Sequence, residues 1–178
     1  MNRLTSWTLN NGTPESYGYN ATSSNLESKA ALSLGYGAHA PSGCVGESSP
    51  RSIPHAVSGA GGNTYSYDCN GNMTQRVIGG QTYTLGYDAE NRLVSVSGPS
   101  TSASFVYDAD GNRVQSTIGS TTTTFVGNYY EVSGSSITKY HYAGSSRIAM
   151  NVNETVSYLF SDQLGSTSIT ADGNGESN

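Results

Sequence analysis

Between residues 63 and 120 aromatic and aliphatic side chains alternate with small polar ones: Tyr65 and Tyr67, then Tyr83, Leu85 and Tyr87, then Phe105 and Tyr107 occupy every second position. In an extended strand neighbouring side chains point to opposite faces, so each set shares a face while Thr82, Thr84 and Gly86 take the other. A period of two predicts β-strands. Each run closes on the same phrase, "YDCNGNMTQ" from Tyr67, "YDAENRLVS" from Tyr87 and "YDADGNRVQ" from Tyr107, one copy every twenty residues. A fixed period of that size marks stacked supersecondary units.

The phrase itself predicts a reversal. Asp68, Asp88 and Asp108 can accept hydrogen bonds from N–H groups two residues on, and the third residue after each is Gly71, Asn91 or Gly111, types that tolerate left-handed backbone. The return strand opens with polar Asn72, Arg92 and Asn112–Arg113 and is expected to resume alternation through Met73, Leu93 and Val114. Arg92 and Arg113 are expected to pair with Asp88, Asp108 or neighbouring turns. Weaker copies follow the same outline. "YNATSSNLESK" carries Asn20 for the aspartate and Leu26 for the return-strand apolar residue, "SDQLGSTSI" keeps Asp162 with Gly165, and "NRLTSW" matches the back half of a unit.

These copies divide the chain into degenerate repeats over 1–35, an irregular Gly/Pro/Ser-rich connection over 36–62, three well-formed repeats over 63–120 and further degenerate repeats over 121–178. Pro41, Pro50 and Pro54 disfavour central-strand placement in the connection. "NLESKAALSL" at 25–34 is the one stretch that mixes helix formers.

Composition narrows the class. Val, Leu, Ile and Phe make up only 16% of the 178 residues, but the charged share is 12% and net charge is −5, so self-repulsion is weak, and thirteen Tyr supply further apolar area. With 22 Gly and abundant Ser, Thr and Asn, the expectation is an all-β, Tyr-rich protein with tight turns. Eight scattered Lys and Arg offer no basic cluster for nucleic acid. No run approaches the roughly 20 apolar residues that span a bilayer as a helix, which argues against membrane insertion. "MNRLTSWTLNN" lacks the apolar segment of a secretory signal, so either an export signal lies elsewhere or the chain is intracellular.

Candidate chemistry is sparse. Cys44 and Cys69 are too few for a disulfide scaffold and fit no common zinc spacing, so they read first as two independent thiols. The alternative is a Cys44–Cys69 disulfide pinning the 36–62 segment to a repeat turn, which implies an oxidising compartment. His39, His55 and His141 have no nucleophile or carboxylate partner in sequence, and no G-x-S-x-G elbow occurs. "DADGN" lacks the remaining ligands and terminal Glu of a calcium loop. No cofactor, metal or catalytic set is expected. Asn11, Asn20, Asn72 and Asn153 begin N-x-S/T sequons, in a chain rich enough in Ser and Thr for four to arise by chance.

The three phrases from Tyr67, Tyr87 and Tyr107, with "PHAV" at Pro54–Val57 and "DQLGSTSIT" at Asp162–Thr170, resemble the YD repeats of the Rhs family, related to the shells of insecticidal toxin complexes and to the teneurin barrel. The resemblance covers most of the chain. It implies consecutive antiparallel β-hairpins that form a curved or spiralling sheet, here part of a shell, and it implies that 25–34 is extended too. Relatives that carry toxins enclose a C-terminal toxic domain behind a core segment with self-cleaving aspartates. "SITADGNGESN" departs from that plan, ending where such a core would begin.

The repeat motif therefore comprises Tyr67, Asp68, Gly71, Tyr87, Asp88, Asn91, Arg92, Tyr107, Asp108, Gly111, Arg113, Asp162 and Gly165. The tyrosines read as sheet-packing residues, with a sugar platform as the rival. The resulting expectation is a non-enzymatic structural module of a secreted or cell-surface shell or stalk, supplying about a dozen strands. Its expected partners are the rest of a parent chain or other copies of itself. The alternatives are a self-assembling fibre subunit and a carbohydrate-binding adhesin using Trp7, Tyr129 and Tyr130.

Overall fold

The computed structural model describes residues 3–10, 12–39, 44 and 52–177. Every regular element among them is a strand. The chain divides into two units, Met1–Thr101 and Ser102–Asn178. The first holds β1 (Ser6–Trp7), β2 (Glu15–Tyr19), β3 (Leu26–Lys29), β4 (Leu32–His39), β5 (Ser52–Ala60), β6 (Asn63–Tyr67), β7 (Met73–Ile78), β8 (Gln81–Tyr87) and β9 (Leu93–Gly98). The second holds β10 (Thr101–Tyr107, opening at the boundary), β11 (Arg113–Ile118), β12 (Thr121–Val126), β13 (Tyr130–Ser133), β14 (Ser136–Ala143), β15 (Ser146–Val152), β16 (Thr155–Ser161) and β17 (Thr167–Ala171).

Within each unit every strand pairs antiparallel with its chain neighbour, so the fold is a succession of β-hairpins. The 25–34 stretch is extended, split between β3 and β4. Seventeen strands among the described residues exceed the expected dozen, because the stretch read as an irregular connection supplies much of β4 and all of β5 and the degenerate ends also fold into successive strands.

Two kinds of turn alternate from β6 to β12. Five-residue turns follow Tyr67, Tyr87 and Tyr107, with Tyr67 opposite Met73, Tyr87 opposite Leu93 and Tyr107 opposite Arg113. Two-residue turns close the other ends: Gly61–Gly62, Gly79–Gly80, Gly119–Ser120 and Gly134–Ser135. Both φ angles are positive at Gly79 (56°) and Gly80 (76°), the twist-matched hairpin geometry that glycine adopts without penalty. Ala30, at φ 50°, holds a comparable position between β3 and β4 without that freedom.

The segment read as an irregular connection is corrected in part. Residues 36–39 and 52–60 belong to β4 and β5, which pair from Leu34 opposite Ala60 out to His39 opposite Ser52. Pro54 is accommodated because the register shifts between Tyr36 and Ala38, across Gly37, leaving Pro54, His55 and Ala56 without a ladder partner. The Asn25 side chain reaches across instead, donating to the Pro54 carbonyl at 2.8 Å and meeting His55 Nδ1 at 2.6 Å. Pro41 and Pro50 lie outside the described residues.

Hardly anything is enclosed. Among the described residues the buried apolar ones are Cys44, Ala149 and Ala171, while Val126, Phe160 and Ile169 are each more than half exposed. Among the described residues, strands touch their chain neighbours and, apart from β4 with β6, no other strand of the same unit, so no second layer packs on either sheet there. Order rests on ladders, turns and cross-strand pairs.

Candidate functional site

The repeated feature is the aspartate turn, and its chemistry is local. Asp68, Asp88, Asp108, Asp162 and Asp172 make the same four bonds. Oδ1 accepts the N–H groups of the second and fourth residues on, at 2.8–3.0 Å. The aspartate carbonyl accepts the third N–H and its own N–H donates to the fourth carbonyl, at 2.9–3.1 Å. The third residue takes positive φ: 88° at Gly71, 62° at Asn91, 84° at Gly111, 84° at Gly165 and 83° at Gly175. Each turn thus satisfies its own backbone.

Side chains at the fourth position complete three of these turns. Asn72 Nδ2 donates to Asp68 Oδ2 at 2.9 Å, Arg92 Nε to Asp88 Oδ2 at 2.8 Å and Asn112 Nδ2 to Asp108 Oδ2 at 3.1 Å. Arg92 also meets Glu90 Oε2 at 2.6 Å. The Asp88 carboxyl is held below its ordinary pKa, foremost by the Arg92 backbone N–H, and Asp108 foremost by the Asn112 side chain. Asp172 is lowered by the backbone N–H groups of Glu176 and Asn174. Carboxylates spent on turn N–H groups are poorly placed for acid–base work. Asn91 adds a link between turns, its Oδ1 accepting from Asn70 Nδ2 and Asn72 Nδ2, both at 2.8 Å.

The tyrosines of the phrase face the sheet. Tyr67 OH donates to the Val57 carbonyl at 2.8 Å, as Tyr36 OH does to that of Leu26. Burial pushes the Tyr67 and Tyr87 hydroxyls above their ordinary pKa.

Arg113 is not where the sequence reading put it. The register shifts just before Tyr67, Tyr87, Tyr107 and Ser161, each time leaving one return-strand residue, Thr74, Val94, Val114 or Ser168, without a partner. Val114 is therefore the bulged residue, and Arg113 takes the place of Met73 and Leu93. Its guanidinium carbon lies 4.9 Å from the Phe125 ring centroid and 5.7 Å from that of Phe105. Arg92, one position earlier relative to its aspartate, is the arginine that reaches a turn. Arg76 over Tyr83 (5.2 Å) and Arg147 over Tyr140 (4.0 Å) repeat the stacking.

The two cysteines are joined rather than independent: Cys44 and Cys69 form a disulfide with a Cα separation of 5.5 Å. Cys69 follows Asp68 in its turn, so the bond ties the β4–β5 connection to a repeat turn. Closing a loop of 25 residues contributes about 3.5 kcal/mol in the chain-entropy account.

Asn174–Gly175 reads as a turn from sequence, but Asp172 as its turn-making aspartate was missed, because "TAD" has alanine where the phrase has tyrosine; the aspartate with glycine three residues on was the available signal. Among the sequons, Asn20 donates to Glu27, Asn72 donates to Asp68 and Asn91, and Asn153, exposed in a two-residue turn, accepts the Ile137 N–H at 2.8 Å. Asn11 lies outside the described residues. Trp7 is 51% and Tyr129 65% exposed, while Tyr130 is half-buried. No cluster of three metal-ligating side chains occurs among the described residues.

No curated protein matches the chain. The family model described as RHS Repeat matches residues 87–124, from the tyrosine before the Asp88 turn, through the Asp108 turn, into β12, so that stretch is similar to an RHS repeat.

Proposed function

We propose that the chain is a non-enzymatic wall element, one stretch of the shell or stalk of a larger secreted or cell-surface protein. The RHS repeat is a structural repeat, and the observation that carries the reading is the near absence of enclosed apolar side chains among the described residues. A protein acting alone encloses a core between layers. A wall presents both faces to something else. The Cys44–Cys69 disulfide supports an oxidising compartment, and therefore export, independently of the repeat.

Enclosure of a toxic cargo, as in the toxin-carrying relatives, is part of the same proposal. The repeats would serve it as a barrier: turn carboxylates are engaged with backbone N–H groups, and the faces carry Tyr, Thr and Ser in place of a reactive set.

Light scattering of the purified chain, joined to negative-stain microscopy, tests the reading. Ordered oligomers or sheet-like assemblies are expected, since faces and open sheet edges left bare here would be covered by further copies. A compact, monodisperse monomer at high concentration would count against it.

A further inference from the structure

The unit Ser102–Asn178 holds a recess of 540 Å³ between the Asp108 turn and the turn at 127–129. Its size falls in the range of small-molecule sites. Tyr107, Arg113, Phe125, Asn128 and Tyr129 line it with Asp108 and Asn112.

Two features set it apart from the repeats. Arg113 occupies the place where the other two phrases put Met73 and Leu93, so a guanidinium stands where the repeat asks for an apolar side chain. Stacked near Phe125 and Phe105, it meets no carboxylate at ion-pair distance among the described residues. Asp108, in the same recess, accepts from the Asp110 and Asn112 N–H groups and from the Asn112 side chain.

Tyr129 is the second feature. Its ring is 65% exposed yet held in place. Tyr142 meets it edge-on with centroids 5.2 Å apart, and Tyr142 OH donates to the Asn128 carbonyl at 3.0 Å while accepting from Arg147 Nε at 3.1 Å. The Tyr129 carbonyl accepts the Tyr140 N–H at 2.8 Å. An exposed ring fixed this firmly is a prepared surface for an apolar ring face.

We propose that this recess binds an acidic saccharide of the hexuronate class, with Arg113 taking the carboxylate in its planar fork and Tyr129 stacking on the sugar ring. The fork matches a carboxylate in two parallel hydrogen bonds, and an aromatic ring beside it selects a ligand carrying both a flat C–H face and an acid. The Asp108 charge opposes the ligand's, so the affinity is modest, on the order of 1 mM. This site is independent of the wall reading.

The test is titration of the full chain, by isothermal calorimetry and NMR, with digalacturonate and with its neutral methyl ester. The acid is expected to bind at least about tenfold more tightly than the ester. Arg113→Leu should abolish that preference with an unchanged circular dichroism spectrum, since Leu93 already fills the equivalent place; Arg113→Met, after Met73, is the second variant. Tyr129→Ser should weaken both ligands. Equal binding of acid and ester, an undiminished preference in both Arg113 variants, or no binding would each overturn the proposal. So would preference for a short peptide with a free C-terminal carboxylate over the sugar.

Discussion

The two ends of each repeat hairpin reverse the chain by different physics. At one end a carboxylate gathers backbone N–H groups, as Asp68, Asp88 and Asp108 do, and the turn is five residues long. At the other, as at Gly79–Gly80, two residues adopt positive φ, and a Cβ built on either glycine would meet nothing within 4 Å. The first kind is held by hydrogen bonds, the second by backbone freedom. One aspartate therefore specifies a turn that tolerates variety elsewhere, whereas the short turn depends on what its residues lack.

Replacing Asp68 by Ala should make the largest difference. It removes acceptors from Asn70 N–H, Asn72 N–H and Asn72 Nδ2. At about 1 kcal/mol for each bond, the loss is roughly 2–3 kcal/mol, measurable as a lower urea midpoint with faster hydrogen exchange at Asn70 and Asn72. An unchanged midpoint would show that the turn is carried by its backbone bonds alone. Gly80→Ala attacks the other end. At φ 76° the added Cβ should cost about 1 kcal/mol through conformation alone, with no clash to relieve.

Ala30→Gly sharpens the contrast in the opposite direction. Ala30 already pays the left-handed penalty at φ 50°, so glycine should stabilise by about 0.5 kcal/mol after its greater unfolded-state entropy is subtracted. A destabilised variant would mean that the alanine methyl has a packing role. The smallest effect near neutrality comes from pH. Asp88, Asp108 and Asp172 titrate lower when folded than when unfolded. Their stabilisation is thus complete above the unfolded carboxylate pKa of about 4 and is lost as pH falls through the lower folded values. The urea midpoint should stay flat from neutrality to about pH 5 and then drop, less steeply in Asp88→Asn. The glycine turns at 61–62, 79–80, 119–120 and 134–135 have no titrating group and should contribute nothing to that slope.

What could be read in the sequence follows the same division. The aspartate turns were legible because the residue that makes the bonds is printed in the phrase, together with Gly or Asn three residues later. The bulge beside each turn was not, since the residue there is Thr74, Val94, Val114 or Ser168, with no one type marking it. Missing it misplaced Arg113 by one position, and in a strand one position exchanges faces. β5 was obscured by Pro54, whose tolerance depends on a register shift that only the partner strand reveals. The link between Cys44 and Cys69 required knowing that the β4–β5 connection and the Asp68 turn lie at the same end of their strands.

Pairing between chain neighbours also governs how the protein comes into being. A strand needs only the one made just before it, so β7 can settle on β6 before β8 exists. Loop closure is short at each step, and short closures are fast. Such a chain can acquire structure in the order in which it leaves a ribosome or an export channel, threaded as a flexible strand on one side and zipped hairpin by hairpin on the other.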